Sequence, residues 1–165
     1  MFDILPCSAV PPDVPVPKGL QAARETSRNA FRSLPASPER DNVLGILGRI
    51  GKASLKQKIR HRAAMIISEV GERFPQLLDV TDEAVDCRNY DVHGSEPKFD
   101  YNRNFDAVTF FIDTLEFLFA ASDLVEAGWN IRGWSKAGTV MSHPFGRLLI
   151  NYPEGLRQLK QLLRP

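Results

Sequence analysis

Phe105-Asp106-Ala107-Val108-Thr109-Phe110-Phe111-Ile112-Asp113-Thr114-Leu115-Glu116-Phe117-Leu118-Phe119-Ala120-Ala121 is the stretch on which the fold turns. It is apolar enough to raise the question of a membrane span, yet Asp106, Asp113 and Glu116 interrupt it and Asp123 follows. Wound as a helix, these four carboxylates fall within about 100° of arc. A narrow acidic stripe on an apolar helix is not a bilayer span. The stretch therefore predicts a long helix, stopped near Gly128, that is buried over most of its circumference in a core or a subunit interface.

The flanking sequence supplies partners of the same kind. A helix is expected from about Ser54 to Phe74, with Leu55, Ile59, Ala63, Ile66 and Val70 on one face and Pro75 as its end. Thr81-Asp82-Glu83 is read as the start of the next helix and Gly94 as its stop, and a polar loop from Ser95 to Asn102 leads on to the apolar helix. Upstream, Ser37-Pro38-Glu39-Arg40 places a serine cap, a first-turn proline and an acid at the start of a helix carrying Val43, Leu44, Leu47 and Ile50. Residues 19–34 are weakly helical and Pro35 closes them. Downstream, Trp129 to Phe145 reads as an irregular loop, and Leu148, Leu149, Leu156, Leu159 and Leu163 mark a final amphipathic segment. No alternating strand pattern and no repeat interrupts this series. The expectation is an all-α bundle of four to six helices. Pro6, Pro11, Pro12, Pro15 and Pro17 make residues 1–18 an extended, polyproline-like arm, leaving 19–165 as the helical domain.

A chain of 165 residues is long enough for one domain with a real core. Its formal net charge of +1 announces no polyanion binder, so any basic surface must be local. Cys7 and Cys87 are too far apart in sequence to frame a disulfide scaffold or a metal site, and Cys87 is expected on the inner face of its helix. His61, His93 and His143 are scattered, so no metal is expected. The N-terminus lacks the basic region and apolar run of a signal peptide, which makes a cytoplasmic protein without membrane attachment the default expectation.

The chemistry concentrates in Arg88-Asn89-Tyr90-Asp91-Val92-His93, followed by Gly94. On a helix, Asn89 and His93 stand at i and i+4 on one face, Arg88 flanks them, and Asp86 sits at i−3 from Asn89, where a carboxylate orients the amide or the guanidinium. A guanidinium, an amide and an imidazole suffice to cut a phosphodiester without metal. RNA brings its own nucleophile, the 2′-hydroxyl, and an imidazole with an ordinary pKa of about 6.5 moves protons near neutrality. The arginine fork matches the charge developing on the phosphoryl oxygens, and Asn89 donates to a phosphate oxygen or fixes the imidazole. The plainer reading of the motif is an exposed helix end with a histidine favoured by the macrodipole.

For substrate grip, Arg49, Lys52, Lys56, Lys58, Arg60 and Arg62 run without one acid between them. Such a run is either a solvated helix face or a set of phosphate contacts; Lys52, Lys56 and Arg60 are the RNA-binding candidates. Tyr90 is a candidate for stacking on an unpaired base, although single aromatics such as Tyr90 and Tyr101 more often pack. Trp129 and Trp134 read as core or interface anchors, His61 as solvent-exposed, and His143, before Pro144, as making a local backbone hydrogen bond.

An all-α chain with Arg-Asn and a histidine four residues further on, followed by Thr114-Leu115-Glu116-Phe117-Leu118-Phe119-Ala120-Ala121-Ser122-Asp123-Leu124-Val125-Glu126-Ala127-Gly128-Trp129 and then His143-Pro144-Phe145-Gly146, resembles the Apea-like HEPN domains of bacterial anti-phage proteins over roughly residues 37–155. The resemblance implies a metal-independent endoribonuclease without cofactor, acting as a homodimer on RNA, with Arg88, Asn89 and His93 as catalytic residues. Such domains usually end longer proteins, which implies a fused sensor domain or a regulatory partner. The HEPN branch with a modifiable tyrosine two residues after the histidine is disfavoured by Ser95. The alternative function is a non-catalytic HEPN-type module for dimerisation and RNA or protein binding.

Overall fold

A computed structural model describes residues 11, 15–137 and 140–164 of the chain, so most of the arm expected over 1–18 lies outside the described residues. Among them are seven α-helices, one 3-10 turn and no strand. The chain packs as two compact units that divide between Ser54 and Leu55.

The first unit is a helical hairpin, α1 (Lys18–Arg32) and α2 (Pro38–Arg49). Ser37 caps α2 as expected, its Oγ accepting from the Arg40 amide at 3.2 Å, with Pro38 in the first turn. Arg24 Nη1 donates to the Ile50 carbonyl at 3.2 Å, tying the start of α1 to the end of α2, so the two helices run antiparallel. Val43, Leu44 and Leu47 are half-buried, and neither helix holds a buried residue.

The second unit holds α3 (Leu55–Val70), the 3-10 turn Gly71–Arg73, α4 (Leu77–His93), α5 (Phe105–Glu126), α6 (Ile131–Lys136) and α7 (Pro144–Leu162). Its centre is α5, which packs on α3, α4 and α7. Phe110, Phe111, Leu115, Phe117, Leu118 and Ala121 are buried, while Asp106 and Glu116 remain exposed. The helix thus spends most of its apolar circumference on the core, while Phe105, Ile112 and Leu124 stay exposed. It ends at Gly128, whose φ of +93° suits a residue without Cβ. Among the described residues no helix is long and apolar enough to cross a membrane.

Three local expectations need correction. Helix α4 begins at Leu77 rather than Thr81: Gln76 takes a left-handed φ of 58° after Pro75, and the first turn is sealed by burying Leu77 and Val80 instead of by a cap. The expected loop from Trp129 to Phe145 contains α6, nucleated by Asn130, whose side chain accepts from the Gly133 amide at 2.8 Å. Arg62 is no member of a basic surface. It lies on the Ile59/Ala63/Ile66 face of α3 and is 1% exposed. Its Nη1 donates to Ser122 Oγ at 2.5 Å and to Asp123 Oδ1 at 2.6 Å, and its guanidinium lies 5.3 Å from the Phe119 ring. Asp123, assigned to the acidic stripe, therefore turns back to hold a buried cation.

Helix α7 reaches α5 through Gly155, where a Cβ would stand 2.6 Å from the buried Phe110 ring. Gly155→Ala is expected to cost about 1–3 kcal/mol, because neither helix backbone yields easily. A thermal melt followed by circular dichroism should show Tm lowered by several degrees; an unchanged Tm would show that the α5–α7 seam is not tightly packed.

Candidate functional site

The site is the C-terminal end of α4. Burial of Ala84, Val85 and Cys87 fixes the helix rotation, leaving Arg88 and Asn89 half-buried and His93 exposed. Gly94, at φ +67°, ends the helix directly after His93, and its amide donates to the Tyr90 carbonyl at 3.0 Å. The imidazole is thereby placed at a helix end instead of midway along a face.

One nitrogen joins the three motif residues. Arg88 Nη1 donates to Asn89 Oδ1 at 3.3 Å and lies 3.1 Å from His93 Nε2. A guanidinium has no acceptor, so a hydrogen bond here has Arg88 donating and Nε2 accepting. The sequence placed Arg88 beside the pair; the structure has it bridging them. Cys87, next in the chain, is buried, and burial followed by the nearby Asp91 charge pushes its thiol up to about 11, so it stays protonated at neutral pH and is no nucleophile.

Asp86 does not orient Asn89 or Arg88. Its carboxylate meets Lys98 Nζ at 3.0 Å and Lys56 Nζ at 3.4 Å. Lys98 also donates to Glu83 at 2.6 Å, Lys56 lies 3.8 Å from Asp82, and Arg60 Nε donates to Asp82 at 2.9 Å. Lys56 and Arg60, expected to contact RNA, are thus matched by carboxylates. The cause is register: Lys56 and Arg60 stand one turn apart on α3, opposite Asp86 and Asp82 one turn apart on the antiparallel α4. Lys52 escapes this ladder and is exposed in the turn after α2. Lys98 and Glu83 were not singled out by sequence, since a lone loop lysine carries no periodic signal.

The remaining candidates are engaged in packing. Tyr90 is half-buried against Tyr101 at 5.3 Å between ring centroids, and Tyr101 against Phe99 at 4.7 Å, so the Tyr90 ring is engaged in a tilted aromatic cluster. Trp129 and Trp134 pack on each other at 5.2 Å and join Phe117 and Phe145. His61 is half-buried instead of fully exposed, and His143 Nδ1 accepts from the Phe145 amide at 3.2 Å, the local bond expected of it.

The model of the Apea-like HEPN family matches residues 18–132, more than half of the chain, and the match includes the motif at 88–93. This chain belongs to the Apea-like HEPN family. HEPN domains are associated with ribonuclease or nucleotide-related activity in defence and toxin settings, and they typically dimerise and bind RNA. No curated protein and no solved structure matches the chain.

The charge ladder makes a pH-dependent prediction. Burial pushes the Asp86 carboxyl up, but the Lys98 hydrogen bond and the Lys56 charge outweigh it and hold it below the usual range. A carboxyl lowered by folding stabilises the fold above its unfolded pKa of about 3.9 and loses that effect as the pH falls further. Lys98→Met should lower stability by about 1 kcal/mol or less at pH 7, and the gap between variant and parent should be narrower at about pH 3. Thermal melts at the two pH values test this; an equal gap at both would assign the loss to packing instead.

Proposed function

We propose that this chain is a metal-independent endoribonuclease that cuts RNA by attack of the 2′-hydroxyl, in a phage-defence or toxin-like role. The observation that carries the reading is the Arg88 bridge: cation, amide and imidazole converge on one nitrogen at an exposed helix end. Family membership supplies the setting.

In this reading the bridge is the resting arrangement. A substrate phosphate, charged and bidentate, competes for the Arg88 fork better than a neutral imidazole does. Its arrival frees His93 Nε2, the unprotonated nitrogen, to take the 2′-hydroxyl proton. The 2′-oxygen then bonds to phosphorus, the bond to the 5′-oxygen breaks, and that oxygen takes a proton. The products are a 2′,3′-cyclic phosphate and a 5′-hydroxyl. Arg88 steadies the phosphoryl oxygens, and in this reading the Asn89 amide donates to them.

One imidazole per chain accepts one proton but does not also deliver another. A homodimer that brings two His93 rings to one cleft supplies both base and acid. Phe105 and Ile112, one heptad apart and exposed on α5, offer apolar surface for pairing. Light scattering at tens of micromolar should give twice the chain mass; a monomer at that concentration would contradict the paired site.

The activity itself is tested with labelled RNA in EDTA. His93→Ala should lower cleavage by at least about two orders of magnitude, and Arg88→Ala by a comparable factor. Equal cutting by wild type and the His93 variant would reject the assigned residues. RNA binding by both without any cutting would favour a non-catalytic RNA-binding module.

A further inference from the structure

We infer that the α1–α2 hairpin is the surface that grips the RNA strand by its phosphates, an inference that rests on the ribonuclease reading above. The starting point is the fate of the cations on the second unit. Lys56, Arg60 and Lys98 are matched by Asp82, Asp86 and Glu83, and Arg62 is buried on Asp123. Arg132 pairs with Glu69 at 2.8 Å and Arg157 with Glu154 at 2.6 Å. Residues 55–164 carry fourteen lysines and arginines against fifteen acids. Taken as a whole, this unit has no net positive charge to draw in a polyanion.

The hairpin differs in sign. Residues 15–54 carry seven cations against three acids, a surplus of four, and five of the seven are arginines. Arg24, Arg28 and Arg32 follow one another at four-residue intervals, a ridge along α1 with a rise of about 6 Å between members. The antiparallel packing brings the end of α2, with Arg49 and the exposed Lys52, alongside the start of that ridge: Arg24 reaches the Ile50 carbonyl, and Arg28 Nη1 would lie 3.9 Å from a Cβ at Gly48. Of the acids, Glu25 lies 3.4 Å from Arg24, whereas Glu39 and Asp41 belong to the first turn of α2, away from this end. The Nε atoms of Arg24 and Arg28 are shielded and find no acceptor among the described residues. A repeating row of guanidinium forks, in which Arg24 alone meets a carboxylate among the described residues, is suited to a repeating row of phosphates.

Arg32, Arg49 and Lys52 are exposed, so replacing them leaves intact the Arg24 bond that ties the two helices. The basic run from Arg49 to Arg62 is split by this arrangement. Its first two cations belong to the grip, Lys56 and Arg60 to the ladder that braces α4, and Arg62 to the core.

The experiment uses the full chain carrying His93→Ala, so that RNA is bound without being cut, and a fluorescein-labelled mixed-sequence single strand of about 20 nucleotides. Anisotropy titrations across rising potassium chloride give the slope of log affinity against log salt. Replacing Arg28, Arg32 and Arg49 with glutamine should weaken binding at low salt at least tenfold and reduce the slope by about 2, at roughly 0.7 per lost phosphate contact. Arg32→Gln with Lys52→Gln, two exposed positions, should reduce it by about 1 and guards against loss of folding in the triple variant, which circular dichroism monitors. An unchanged affinity and slope in either folded variant, with wild type still cutting RNA, would overturn the grip and leave the ribonuclease reading standing. No RNA binding by the parent and no cutting by wild type would remove both. Binding to phosphatidylserine vesicles but not RNA, lost in the triple variant, would overturn the inference in favour of a lipid surface.

Discussion

The structure of the second unit depends on covering α5. A helix with Phe110, Phe111, Leu115, Phe117, Leu118 and Ala121 facing several directions is unstable in water until helices pack around it, and each such side chain contributes about 1.5–3 kcal/mol once buried. α3, α4 and α7 supply that cover. The rotation of α4 then follows from which of its residues meet α5 and α3. With Ala84, Val85 and Cys87 turned inward, Arg88, Asn89 and His93 have only the outer side and the helix end available. The position of the motif is thus a consequence of core packing. Gly94 adds the one local contribution, ending the helix directly after His93.

Electrostatics refines what packing sets. The ladder from Arg60 to Lys98 ties α4 to α3 on one side and to the loop after His93 on the other, through carboxylates at Asp82, Glu83 and Asp86. Each pair is half-exposed and individually weak, but together they hold the register of α4 and the start of the following loop. The same carboxylates remove the positive potential that a reading of α3 alone would assign to this face. Structural bracing and substrate attraction compete for the same lysines here, and bracing has them.

Much of this was legible in the sequence, and the failures share a cause. The long apolar helix, the stop at Gly94, the serine cap at Ser37 and the i, i+4 placement of Asn89 and His93 are periodic or local signals, and each is present in the structure. What was misjudged required knowing which helix faces which. The basic run read as one surface because its residues are consecutive, whereas Arg62 is core, Lys56 and Arg60 face acids twenty to thirty residues away, and Lys52 belongs to another unit. The partners of Tyr90 and Asp86, Tyr101 and Lys98, lie in the loop after α4, where no periodic signal announces them. Consecutive charge is a property of the chain; surface charge is a property of pairing.

The motif itself shows the same competition at the scale of one atom. Arg88 Nη1 has a finite donor capacity, and in the structure it is committed to Asn89 and His93. If the site works as proposed, the group that must stabilise the phosphate is also the group that occupies the base. The two roles exclude each other until substrate arrives, because a guanidinium that has turned to a phosphate no longer covers Nε2. Water alone gains less from displacing this contact than a phosphate dianion or diester does, since only the latter offers a charge-assisted pair of hydrogen bonds. The arrangement therefore makes the free imidazole conditional on a bound phosphate. It also explains why one arginine beside one histidine, an unremarkable pairing on most helix ends, carries meaning here: the hydrogen bond that links them is the one that substrate binding has to break.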